Sequence, residues 1–103
     1  MLFALLLLAG RTYFPVPVCN MKANDHTHVR VSGRVALVKH EADGDTHIRL
    51  VDHACFVVAE CIPEMPCRAP KVGQTITVQG ISRFDGEHKW LEVHPVEKLT
   101  IKK

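Results

Sequence analysis

Acidic and imidazole side chains recur two residues apart at two places in this chain: Asp45 and His47 in EADGDTHIRL, and Glu92 and His94 in WLEVHPV. Alternate residues of an extended strand share a face. Each pair therefore presents a carboxylate and an imidazole on one side, while Ile48, Leu50, Leu91 and Val93 turn to the other. Carboxylate oxygens and neutral imidazole nitrogens suit Zn, Fe or Mn, so His47, Glu92 and His94 are the candidate metal ligands. An added water would complete a Lewis-acid centre competent for hydrolysis. A second reading uses the same residues without a ligand. Glu92 would accept bonds from a histidine or from backbone N–H groups, Asp45 would cap its own turn, and Pro95 would hold His94 extended.

Glu60, with Asp85 and His88 of the last hairpin loop, would extend such a site if that loop folds over the face. An acid beside an imidazole also permits general acid–base work. No serine or cysteine stands in a recognisable nucleophile motif, which disfavours covalent hydrolysis. Trp90 lies on the outward parity of its segment. It offers a stacking surface for a base or a sugar, with Arg49 or Arg34 placed to meet phosphate. As a structural residue it would cover an open barrel end or pack under the N-terminal segment. His26 and His28 in NDHTH read as a polar linker or a surface metal site.

The elements that must position these groups are strands. Residues 29–101 are dense in Val, Ile and Thr, lack helical periodicity, and carry Gly or Pro at their turns. VRVSGRVALVK (29–39) reads as a long first strand with Val29, Val31, Gly33, Val35 and Leu37 inward, and Gly33 allows a bend. An Asp-Gly turn leads to a second strand with Thr46, Ile48 and Leu50 inward and Asp45, His47, Arg49 and Val51 outward. CFVVAEC follows with no decisive parity. A Pro-rich connection (62–73) precedes QTITVQGIS, a second Asp-Gly turn and WLEVHPVEKLTI, which is expected to break near Pro95. This order predicts an all-β, five-stranded, partly open barrel over 29–101, with residues 1–28 as an apolar segment and linker.

Between residues 29 and 101 there are nine Arg or Lys against ten Asp or Glu, so the chain's formal charge of +2 comes from its tails. The basic stripe usual in proteins that wrap a phosphate backbone is missing. MLFALLLLAG is too short to span a bilayer and lacks a basic start, but it resembles the apolar middle of a secretory signal and reads as a clipped or wrongly started one, with an apolar element docked on the barrel or a membrane-surface anchor as the alternatives. Export or an envelope location is expected on that reading, and a cytoplasmic one if the segment is not a signal. Four cysteines suit an exported chain. Cys55 and Cys61 lie about 20 Å apart on an unbroken strand and cannot pair with each other. Cys61 with Cys67 is feasible through a fold at PEMP, with free thiols as the alternative. No C-x-x-C zinc knuckle occurs.

Three pieces, VSGRV, EADGDTHIRL and GISRFDGEHKWLEVHPV, together resemble a family of small uncharacterised bacterial OB-fold proteins. Its acidic-Gly-acidic turn before a strand histidine and its W-x-E-x-H-P ending fall here on Asp43, Gly44, Asp45 and His47 and on Trp90, Glu92, His94 and Pro95. The resemblance implies the barrel and a shared site, and it brings no activity with it. The broader OB group often binds single-stranded nucleic acid on this outer face, whereas the outer positions here mix acids and histidines with few aromatics. The expected function is a non-enzymatic binding module for single-stranded nucleic acid, an oligosaccharide or a protein segment. Its binding residues would be Asp45, His47, Arg34, Arg49, Glu60, Trp90, Glu92 and His94. No cofactor is implied beyond a divalent metal. The alternatives are the metal site above and a purely structural or partner-binding barrel.

Overall fold

The computed structural model describes residues 11–22 and 27–102. The strands are β1 (Phe14–Pro15), β2 (Thr27–His40), β3 (Thr46–Asp52), β4 (Cys55–Cys61), β5 (Thr75–Asp85) and β6 (Trp90–Ile101), with a 3-10 turn over Val18–Asn20. Neighbours run β1-β2-β3-β4-β6-β5, and β5 pairs back onto β2. Strands β2–β6 thus form the five-stranded barrel expected from the sequence, with β1 added outside. The seam is the parallel pairing of β4 with β6, only Val58↔Glu92 and Ala59↔Val93, which leaves the barrel partly open.

Alternation fills the interior with branched aliphatic side chains. Val31, Val35, Ile48, Leu50, Val57, Ile76, Val78 and Val93 are fully buried, and among the described residues no aromatic ring belongs to the buried core. Two glycines sit where strands turn the barrel's corners. A Cβ on Gly33 would lie 3.0 Å from the Val51 carbonyl oxygen, at the point where β2 exchanges β5 for β3 as its partner. A Cβ on Gly80 would collide with the Pro95 carbonyl, and the β5–β6 ladder shifts register around this residue. Strand β6 itself continues through a cis His94–Pro95 peptide. The strand is not broken near Pro95, but the ladder is irregular there: β6 runs from Lys98 to Val93 while β5 runs only from Gln79 to Ser82, so the extra residues bulge from β6 on either side of Pro95.

Leu37 also departs from expectation. The β2–β3 register slips between Val35 and Leu37, so Val38 opposes Ile48 and Leu37 opposes Arg49. One extra residue reverses the parity of everything beyond it. Val38 packs against the core in place of Leu37, and Leu37 is left 48% exposed on the outer face.

Residues 11–22, read from sequence as tail and linker, pack on the barrel. Strand β1 runs parallel to β2, opposing Val29 and Arg30, and Val18 and Met21 are buried with the core. A Cys19–Cys55 disulfide fastens this segment to the start of β4, and Cys61–Cys67 closes the feasible short loop. The apolar MLFALLLLAG segment and His26 lie outside the described residues. Among the described residues, no helix is long and apolar enough to cross a membrane.

Candidate functional site

Strand pairing decides which outward side chains meet. Between the two acid–imidazole pairs lies β4, flanked by β3 and β6, with His47 opposite Glu60 and Arg49 opposite Val58. Val58 in turn opposes Glu92, and Glu92 opposes Arg83 of β5. Four strands thereby contribute to one outer face, and Asp45 and Glu92 both reach Glu60 on it.

Glu92 is 0% exposed although it points away from the core. Its burial is compensated on both oxygens: Arg83 Nε lies 3.1 Å from Oε1, and the Trp90 indole N–H donates to Oε2 at 2.8 Å. These partners replace the histidine or backbone donors expected from sequence. His88 stacks on Trp90, with ring centroids 4.5 Å apart and planes 5° apart. The stack is held from behind, since His88 Nδ1 lies 2.8 Å from Asp85 Oδ2. Asp85 Oδ1 accepts the backbone N–H groups of Glu87 and His88. The His88 bond and these N–H donors hold the Asp85 carboxyl far below the usual carboxylate range. The same contact with Asp85 raises the His88 pKa.

Glu60 lies in different surroundings. It is 8% exposed, and its ionic partners are imidazoles: His47 Nε2 at 3.2 Å and His94 Nε2 at 3.6 Å, both on Oε1. Burial, a hydrogen bond with Asp45 and the Glu92 charge push its carboxyl up to about 9. His94 is pushed down, first by burial and then by the Arg83 charge, which favours the neutral imidazole. Glu41 Oε1 stands 3.5 Å from His47 Nδ1. Asp43, not Asp45, caps the first hairpin, accepting the Asp45 N–H at 3.0 Å.

The proposed ligand set is regrouped. Among the described residues, the sets whose donor atoms lie within 4.8 Å of one another are Asp45–Glu60–His94 and Asp85–His88–Glu92. His47, Glu92 and His94 do not form one, because β4 intervenes and Glu92 is turned toward Arg83 and Trp90. In the second set, the carboxylates are already saturated by the donors described above.

A cleft of about 530 Å³ opens between the two hairpin loops, lined by Lys39, Asp43, His47, Glu60, Arg83 and His88 among others. Beside it is a smaller hollow of about 230 Å³ that brings together Leu37, Arg49, Val58 and Trp90. The Arg49 guanidinium lies 4.5 Å over the Phe56 ring and 5.8 Å from that of Trp90, and its buried Nε has no hydrogen-bond partner. Arg34 does not join this group. It lines a separate depression with Ser32, Val51, Asp52, His53 and Thr75.

Sequence reasoning missed Arg83, Phe56 and Leu37. Alternation through Arg83 and Asp85 in ISRFD was a usable signal for the first. Phe56 lies in a run apolar at both parities, and the bulge that exposes Leu37 has no local signature.

Comparison with solved structures matches the barrel to part of asparaginyl-tRNA synthetase from Pyrococcus horikoshii, at TM-score 0.73 and 21% identity over 85% of this chain. The chain spans 23% of that synthetase. The protein has an OB-fold. An OBody, AM1L10, bound to hen egg-white lysozyme matches at TM-score 0.70 and 15% identity, covering 91% of this chain and 98% of its own. The yeast Stn1 and Ten1 structure matches at TM-score 0.57 and 18% identity over 75% of this chain and 43% of that one. No protein-family model matches the chain, and no curated protein is significantly similar to it.

Proposed function

We propose that this OB-fold is a non-enzymatic binding module that takes a short stretch of single-stranded nucleic acid across β3, β4 and β6. The carrying observation is Arg49: a guanidinium between two aromatic rings with a buried Nε that lacks an acceptor. An Arg fork fits a phosphate oxygen pair. Phe56, 41% exposed, is the free aromatic surface beside it. Trp90 already carries His88 on its ring, so an incoming base would stack on Phe56 or on the outer side of His88. OB-folds commonly use this face and the flanking hairpin loops for oligomeric ligands.

Arg49 is placed to meet phosphate, and Lys39 would have to leave the Glu41 carboxylate 3.6 Å away, so the salt dependence should be shallow, a log–log slope of about −1.4 for at most two single-strand phosphates. Fluorescence anisotropy with labelled hexathymidylate and hexauridylate tests the reading. Saturable binding at low salt, weakened at least tenfold by both Arg49→Met and Phe56→Ser, is expected. An absence of saturable binding, or binding indifferent to both substitutions, would refute it.

The cleft rim favours a second ligand, an oligosaccharide. Glu41, Asp43, Asp85 and Glu87 outnumber Lys39 and Arg83 there, which repels phosphate and leaves acceptors for sugar hydroxyls. Salt-independent binding to a glycan array would select it. The two disulfides support an exported or envelope-associated setting for either ligand.

A further inference from the structure

We propose that Asp45, Glu60 and His94 bind one divalent transition-metal cation beside the cleft that Glu60 lines. The three donors come from three adjoining segments. Asp45 precedes β3, Glu60 lies on β4 and His94 on β6, and their ligand atoms lie within 4.8 Å of one another. A small inward adjustment brings such a set to the bond lengths of about 2.0–2.2 Å that zinc makes with imidazole and carboxylate. Two carboxylates and an imidazole form a mixed hard and borderline set, which suits Zn²⁺ or Mn²⁺ better than the all-oxygen shells of Ca²⁺ and Mg²⁺.

An observation independent of spacing points the same way. Glu60 is 8% exposed, yet among the described residues no permanent cation is paired with it. Arg83 is bonded to Glu92, and Arg49 lies over Phe56. The ion pairs of Glu60 are with His47 and His94, imidazoles that carry charge only when protonated. Ionised, Glu60 would be a buried charge without a fixed partner, which is costly, and Asp45 and Glu92 add negative charge beside it. A divalent cation supplies the missing compensation. Glu60 also lines the cleft, so an exogenous oxygen has a route to the fourth position of a three-donor site.

The site differs from the set read from sequence in keeping only His94. His47, on the other side of Glu60 Oε1 and 3.5 Å from Glu41, acts as a positioning residue for the Glu60 carboxylate. The inference does not rest on the nucleic-acid reading, because neither Arg49 nor Phe56 takes part.

Isothermal titration of the chelator-treated full chain with ZnCl2, and separately with MnCl2, tests it. One equivalent of saturable binding is expected. Glu60→Gln and His94→Gln should each raise the Kd at least tenfold, while Glu64→Gln, at an exposed carboxylate outside the cleft, leaves it unchanged within twofold. In parallel, the side-chain nitrogen resonances of His94 should shift on zinc addition. If Glu60→Gln does not fold, His94→Gln and the His94 resonances still decide. No saturable binding by the folded wild-type chain would overturn the site. So would affinity unaltered in His94→Gln, or zinc-induced shifts confined to other histidines such as His40 and His53.

Discussion

Glu92 and Glu60 lie on the same outer face, and both are buried, but their surroundings have opposite character. At the Glu92 end every polar group has a fixed partner: Arg83 and Trp90 on the carboxylate, His88 on the indole, Asp85 on His88. At the Glu60 end the carboxyl meets two imidazoles and another acid. Mutual satisfaction makes the first end a fastening that holds the β5–β6 hairpin over the barrel. Incomplete compensation is what the proposed cation would relieve at the second. Buried acidity is therefore not by itself a mark of function; what matters is whether the donors around it are permanent.

The sharpest test of this contrast is to remove each carboxylate. Glu92→Ala strands the Trp90 N–H and empties a buried position, while Arg83, 43% exposed, is returned to solvent, so a loss of about 1–3 kcal/mol is expected. Chemical denaturation measures it, and a loss under about 1 kcal/mol would erase the distinction. Glu60→Gln should behave oppositely. The folded chain holds the Glu60 proton up to about pH 9, whereas its ordinary pKa is 4.5. Below 4.5 both states are protonated and nothing is lost. Between the two values the unfolded chain releases a proton that the folded chain keeps, so wild-type stability falls as pH rises. In chelated buffer, Glu60→Gln should therefore gain on the wild type as pH climbs from about 5 toward 9. A gap independent of pH would contradict the assigned burial.

A smaller effect is expected in the hairpin loop. Asp85→Asn removes the charge that raises the His88 pKa, so an NMR titration of that ring should move down toward the ordinary histidine value. An unchanged titration would show that the Asp85–His88 contact does not fix the stack. Least of all should Phe56→Ser disturb the fold. Because the side chain is exposed, its stability should stay within about 0.5 kcal/mol of wild type. A larger loss would mean that Phe56 is part of the fastening and not a free platform.

Much of the barrel was legible because strand parity, Asp-Gly turns and the corner glycines are local properties. Those signals placed His47, Glu60, Glu92 and His94 on strands of the right type. They could not supply lateral order. The insertion of β4 between β3 and β6 is a property of the closed sheet, and it converts Glu60 from a peripheral candidate into the centre of the site. The bulge after Val35 likewise follows from how β2 must curl to serve both β5 and β3, and it turns Leu37 outward against its sequence parity. Arg34 and Arg49 have equal credentials in sequence. Only the register separates them, setting Arg34 opposite Val51 and Arg49 beside Phe56 and Trp90.

The division of this face is tested most directly by side-chain NMR of the labelled chain titrated with unlabelled hexathymidylate at low salt. The Arg49 Nε–H and Phe56 ring resonances should move together and saturate, while the Trp90 indole N–H, tied to Glu92, stays in place. Movement of the Trp90 indole without any response from Arg49 would contradict the account.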